Sequence, residues 1–94
     1  MNLSAQTTPR LSPQVVSHTI EDTVALLDTN SGVYYTVDGP GIILVEMCDG
    51  EATLEQVAQQ VCEEYEVGED EALADLIELT EALAEEGLVL VDGD

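Results

Sequence analysis

The hydrophobic pattern divides this chain into a strand-like half and a helical half. Alternating runs of β-branched, aliphatic and aromatic residues occupy residues 15–20, 23–28 and 33–37, which is typical of short β-strands. Asn30-Ser31-Gly32 separates the last two runs with residues that tolerate the positive φ of a tight turn. The pattern therefore predicts an antiparallel sheet of three strands, of which 33–37 is the third.

Apolar positions at helical spacing predict three helices after this sheet. We expect them at residues 40–48, 53–65 and 69–86. Pro40 suits the first turn of the first helix. Thr53 and Gln56 form a capping box at the start of the second helix, which satisfies backbone amides that have no partner within the helix.

The third helix carries more apolar residues than one buried stripe needs. Its predicted core stripe consists of Leu73, Leu76, Ile77, Leu83 and Ala84. A second face, to one side of that stripe, holds Ala72, Leu79 and Ala82 beside Asp75 and Glu86. This face is either a broad core stripe or one wall of a groove, and Glu78 is expected to project farther towards solvent.

Strands followed by helices predict an α+β domain in which a small sheet packs on three helices. Residues 1–14 are rich in Ser, Thr, Gln and Pro without periodicity, and are expected to be a disordered tail. The domain is expected over residues 15–91, followed by an acidic end at 92–94. Nothing in the chain clearly covers the edges of the sheet, and an open edge can accept a further strand.

The charge of the chain narrows the classes of partner. Among 94 residues, 21 are acidic and one, Arg10, is basic, giving a net charge of −20. Nucleic acids and anionic membranes attract proteins through Lys and Arg, so both are excluded as partners. A basic partner is allowed. The alternative interpretation is that the acids only keep the protein soluble.

No catalytic or metal-binding set emerges from the residues. His18 is the single histidine and lies in a predicted strand, while Cys48 and Cys62 lack metal-ligand spacing and are expected to be reduced, buried side chains. We therefore predict no enzyme activity, no metal and no cofactor. With neither a signal peptide nor an apolar run long enough to cross a bilayer, we expect a cytoplasmic protein.

An ordered set of short motifs resembles the PqqD-like family of peptide-recognition elements, which serve the biosynthesis of ribosomally made, modified peptides. The motifs are residues 32–35, a break at 38–39, a short helix ending at 49–50, a helix from Thr53 to 64–67, then 72–76 and 86–89. The family often has a tryptophan late in its first helix, where this chain has residues 44–47, and an asparagine where it has Asp38.

The resemblance implies a winged helix-turn-helix-like domain that is not catalytic. It implies that the leader region of a precursor peptide binds as an added strand on the third strand, against the third helix. The domain then delivers the precursor to a separate maturation enzyme such as a leader protease, here in lasso peptide biosynthesis. The implied peptide-binding residues are Val33, Tyr34, Tyr35, Thr36, Val37, Ala72, Asp75, Leu76 and Leu79.

The sequence leaves three other functions open. The nearest is a PqqD-type chaperone of pyrroloquinoline quinone biosynthesis. An acidic carrier protein needs a serine at the start of a helix for its prosthetic group, and Ser4, Ser12, Ser17 and Ser31 are not so placed. A DNA-binding winged helix is suggested by fold alone, which does not fix function, and the charge opposes it.

Overall fold

The computed structural model describes residues 3–92 and contains two small sheets and three helices. The strands are β1 Thr8–Leu11, β2 Val15–Ile20, β3 Thr23–Asp28, β4 Tyr34–Asp38 and β5 Val89–Asp92. The helices are α1 Pro40–Glu46, α2 Leu54–Glu64 and α3 Glu69–Glu85. The predicted α+β class, with a three-stranded antiparallel sheet followed by three helices, is confirmed. No helix within residues 3–92 is long and apolar enough to cross a membrane.

The main sheet has the strand order β2-β3-β4, and two turns set its register. A two-residue turn at Glu21 and Asp22 joins β2 to β3, and Glu21 has φ 55. The longer turn between β3 and β4 is held by the Asp28 carboxylate, which accepts the N–H of Asn30 at 2.8 Å and of Ser31 at 3.1 Å. Gly32 completes this turn with φ 80, as the sequence predicted.

The helices begin where the sequence places them. Pro40 lies in the first turn of α1. At α2, Gln56 N donates to the Thr53 hydroxyl at 3.1 Å and Thr53 N donates to Gln56 Oε1 at 2.9 Å, so the predicted capping box is present. Three acidic residues occupy the first turn of α3, where the helix dipole favours negative charge.

One aliphatic core joins the inner face of the main sheet to the helices, and no aromatic side chain is among its fully buried members within residues 3–92. Its most buried leucines are Leu26, Leu44, Leu54, Leu83 and Leu88. The buried stripe of α3 differs from the prediction: it consists of Ala72, Leu76, Thr80 and Leu83, whereas Leu73 and Ile77 are half-buried. Thr80 can be buried because its hydroxyl donates to Leu76 O at 2.7 Å.

The prediction of a disordered tail over residues 1–14 is wrong for β1. This strand pairs antiparallel with β5, from Thr8 opposite Asp92 to Leu11 opposite Val89. Its other side contacts the α1–α2 loop, where Gly50 N donates to Pro9 O at 3.0 Å. These partners lie far away in the sequence, so no local pattern marks the strand. Residues 1–2, and the part of the expected acidic end at 93–94, lie outside the described residues.

Candidate functional site

Strand β4 has an open edge among the described residues, since β3 is its one neighbour in the sheet. Hydrogen-bonded and non-hydrogen-bonded pairs alternate along an antiparallel ladder. Asp28 N donates to Val33 O at 2.9 Å, so Tyr35 and Val37 also direct their backbone groups towards β3. The backbone groups that point to the open edge are those of Tyr34, Thr36 and Asp38.

This arrangement moves the predicted strand 33–37 by one residue. Val33 precedes β4, and its backbone belongs to the turn: its N–H donates to the Ser31 hydroxyl at 3.2 Å and its carbonyl accepts from Asp28. Asp38, which lies outside the predicted site, ends β4 and adds a third outward backbone position. The alternation of side chains is as predicted. Tyr35 is half-buried and Val37 is buried on the inner face, while Tyr34 and Thr36 are exposed on the outer face.

A cavity of about 350 Å³ lies between β4 and α3. It is lined by Tyr35, Asp75, Glu78, Leu79 and Ala82. A second depression of about 300 Å³ follows the edge itself and is lined by Tyr34, Tyr35 and Thr36. Tyr35 borders both, and we call the cavity between β4 and α3 the β4–α3 groove.

The predicted helix wall of this groove is partly wrong. Asp75 and Leu79 line the groove, but Ala72 and Leu76 are 3% and 2% exposed and lie in the core. Their side chains pack against the core and do not line the groove. Glu78, expected to point farther into solvent, borders the groove together with Asp75, whereas Glu86 is the C-cap of α3 and does not line it.

The sequence signal for this orientation was the spacing of Ala72, Leu76, Thr80 and Leu83. These residues recur at i, i+4, i+8 and i+11 and form one helical stripe that includes a threonine. Relative to the predicted stripe, the buried face is turned towards Ala72 and away from Leu73 and Ile77. This brings Glu78 to the groove beside Ala82 and removes Ala72 from it.

Gly41 sets how closely α1 approaches the floor of the groove. A Cβ at this position would lie 3.1 Å from Leu79 Cδ2 and 3.1 Å from Val37 Cβ. Such distances are tighter than ordinary van der Waals contact. The missing side chain therefore allows the start of α1 to pack between β4 and α3, and fixes the position of Leu79 beside Tyr35.

Asp28 and Cys48 are titratable groups outside the groove whose pKa values are shifted by their surroundings. N–H donation from Ser31 and the side-chain amide of Gln14 lowers the pKa of Asp28, whose carboxylate holds the turn before β4. Burial raises the pKa of the Cys48 thiol to about 12, so it is neutral at physiological pH. Cys62 is half-buried. His18 is exposed on β2, and within residues 3–92 no three His, Cys, Asp or Glu side chains are placed to hold a metal.

Comparison with known families identifies the class of protein. The family model for coenzyme PQQ synthesis protein D (PqqD) matches residues 23–89, which is more than half of the chain. The chain therefore belongs to the PqqD family. A search of the curated proteins found no match.

Two solved structures are similar over nearly their whole length. One is TbiB1 in complex with the TbiA(beta) leader peptide: it is 29% identical, the alignment covers 90% of this chain and 99% of that one, and the TM-score is 0.81. The other is lasso peptide synthetase B1 complexed with the leader peptide, which is 32% identical over 88% of this chain and 98% of that one, with a TM-score of 0.75.

A third similar structure, the heterocyclase TruD, shares the fold within a much longer chain. It is 20% identical, and the alignment covers 92% of this chain and 12% of that one, with a TM-score of 0.61. At this identity the likeness concerns fold alone.

Proposed function

We propose that this protein binds the leader region of a precursor peptide in lasso peptide biosynthesis and delivers it, without catalysis, to a separate maturation enzyme such as a leader protease. The observation that carries the proposal is the open edge of β4 beside the β4–α3 groove, in a fold that matches TbiB1 at a TM-score of 0.81. Both TbiB1 and lasso peptide synthetase B1 were solved with a leader peptide.

The leader binds by strand addition to β4. Tyr34, Thr36 and Asp38 supply outward N–H and C=O groups, which give the peptide its register. Alternate leader side chains then face the groove, where Tyr35 and Leu79 offer apolar contact. The opposite leader side chains lie beside Tyr34 on the outer face.

A direct test first searches the genes next to that of this protein for a precursor peptide, and then uses its leader, with a scrambled leader as the control. Calorimetry should give micromolar affinity or tighter, about −8 kcal/mol. Amide exchange should gain protection at residues 34, 36 and 38, and little at 35 and 37, which β3 already protects. Uniform or absent protection along β4 would reject strand addition, and mass spectrometry that shows leader cleavage by the purified protein would reject a non-catalytic role.

The PqqD match supports a second candidate, a chaperone of pyrroloquinoline quinone biosynthesis. The two leader-bound lasso neighbours favour the lasso pathway. Tight binding to the pyrroloquinoline quinone precursor, with no binding to a lasso leader, would favour the pyrroloquinoline quinone pathway instead. The carrier-protein alternative loses support, because the described helices begin after Gly39, Thr53 and Gly68 rather than after a serine.

A further inference from the structure

The outer face of the main sheet carries an exposed apolar row. Val16 lies opposite Leu27, and Leu27 lies opposite Tyr34, so the three side chains cross β2, β3 and β4 in line. They are 52%, 39% and 62% exposed, and Ile20 on the same face is 51% exposed. Six large hydrophobic residues are exposed within residues 3–92: these four, and Tyr65 and Leu90, which lie elsewhere. Such clustering on one face marks an interaction surface.

The same face is nearly free of charge on a strongly acidic protein. Its three rows are Val16, Leu27 and Tyr34; His18, Ala25 and Thr36; and Ile20, Thr23 and Asp38. Asp38, at one corner, is the one acidic side chain among these nine. A second copy of this chain is a poor occupant, because two molecules with a net charge of −20 repel each other.

The outer face lies next to the β4 edge at which the leader is proposed to bind. Successive side chains of a strand point to opposite faces, so Tyr35 lines the groove and Tyr34 points away from it. A leader added to β4 therefore leaves the outer face open and extends it by one strand. A protein docked there would contact this chain and the outward side chains of the leader together.

We propose that this outer face, centred on Val16, Leu27 and Tyr34, is the docking surface for the maturation enzyme. The inference rests on the proposed function for the identity of its partner. The leader then occupies the edge of the sheet and the enzyme its outer face, so the enzyme can bind without displacing the leader. The enzyme's matching surface is apolar at its centre and neutral or basic at its rim.

The test uses Val16→Asp, with Ser17→Asp as the matched control. Both residues are exposed on β2 and both changes add one charge, but Ser17 points to the other face. Val16 is two strands away from the open edge of β4. Leader affinity is measured by calorimetry, and leader removal from the full precursor is followed with the purified leader protease of the same biosynthetic pathway.

We expect both variants to bind leader as the unchanged protein does, while Val16→Asp slows leader removal about tenfold, equivalent to about 1.4 kcal/mol, and Ser17→Asp does not. Equal rates for the two variants would overturn the docking surface while leaving leader binding intact. Failure of the unchanged protein to bind leader would instead reject the proposed function and this inference with it. If Val16→Asp does not fold, Ile20→Asp repeats the test. If the unchanged protein is a dimer and Val16→Asp makes it a monomer, the face belongs to a second copy instead.

Discussion

Thr36 lies opposite Ala25 at a pair where neither backbone is hydrogen-bonded to the other strand, so the Thr36 N–H points to the open edge of β4. Proline at this position keeps the extended backbone and removes only an outward donor. Thr36→Pro should therefore leave the fold intact and weaken leader binding at least about tenfold, or roughly 1.4 kcal/mol, as measured by calorimetry.

The control is Thr36→Val, which retains the N–H and a β-branched side chain. It should bind leader as the unchanged protein does. Equal affinity of the proline and valine variants would show that the leader does not pair with this amide.

Charge at the β4–α3 groove should act mainly on the rate of association. Asp75 and Glu78 both border the cavity, so Asp75→Asn and Glu78→Gln should weaken binding of a leader that contains Lys or Arg by similar amounts, roughly 0–1 kcal/mol each. The field of a protein with net charge −20 should speed encounter with such a leader, and salt should reduce this effect. Stopped-flow association across a salt series measures the effect of the substitutions and the effect of salt on the association rate.

Glu63→Gln is the comparison variant, because Glu63 is exposed on α2 and outside the cavity. It changes the net charge equally. If salt does not alter the association rate and all three variants associate at the same rate, the acidic residues serve only to keep the protein soluble.

The close approach at Gly41 predicts opposite outcomes for two glycines. Gly41→Ala inserts a methyl group against Leu79 and Val37, and should destabilise the protein by about 1–3 kcal/mol and weaken leader binding. Gly68 is the N-cap of α3, and a Cβ there would meet nothing within 4 Å. Gly68→Ser adds a capping hydroxyl and should raise stability. Urea unfolding that ranks these variants in the reverse order would contradict the packing described at the groove floor.

Asp28 should make stability depend on pH in an acidic window. Hydrogen bonds lower its pKa in the folded protein from an ordinary value of 3.8. The stabilisation is therefore fully present above that value and is lost as the pH falls through the lower, folded pKa. Asp28→Asn should remove this part of the dependence, as seen by urea unfolding between neutral pH and pH below 3.8. The pKa of Asp49 is lowered by N–H groups of the α1–α2 loop. Its contribution to the pH dependence of stability should therefore remain in the Asp28→Asn variant.

Ser12 tests whether the N-terminal segment is part of the domain. Its hydroxyl donates to Gly87 O at 2.7 Å, and the residue is buried. Ser12→Ala should cost about 1–3 kcal/mol because a partly buried carbonyl loses its donor. Ser17→Ala, at an exposed position on β2, should stay within about 0.5 kcal/mol of the unchanged protein. A silent Ser12→Ala in thermal and urea unfolding would restore the disordered-tail prediction.

Elements whose stabilising contacts are local could be predicted from the sequence. The capping box of α2 needs two residues three positions apart, and its stripe repeats with helical period, so both were found. The turn before β4 was found because Gly32 requires a positive φ. The open edge of β4 followed from the number and order of the strands.

Elements that depend on distant partners could not be predicted in this way. β1 consists of four residues whose hydrogen-bond partners are β5 and the α1–α2 loop. The buried face of α3 lies nearer Ala72 than the helical pattern predicted, and it includes Thr80, a polar residue whose hydroxyl is satisfied within its own helix. The family resemblance had implied Ala72 and Leu76 as peptide-binding residues, and the helical projection had placed Glu78 farther towards solvent.

The pairing of β1 with β5 brings the two ends of the folded unit together. Thr8 lies opposite Asp92, so the backbone enters and leaves the domain at adjacent points. A domain with this property can be inserted into a surface loop of another protein, or circularly permuted with a short linker, without stretching either junction. The fold is therefore portable between proteins as a unit, whether it stands alone or lies within a larger enzyme.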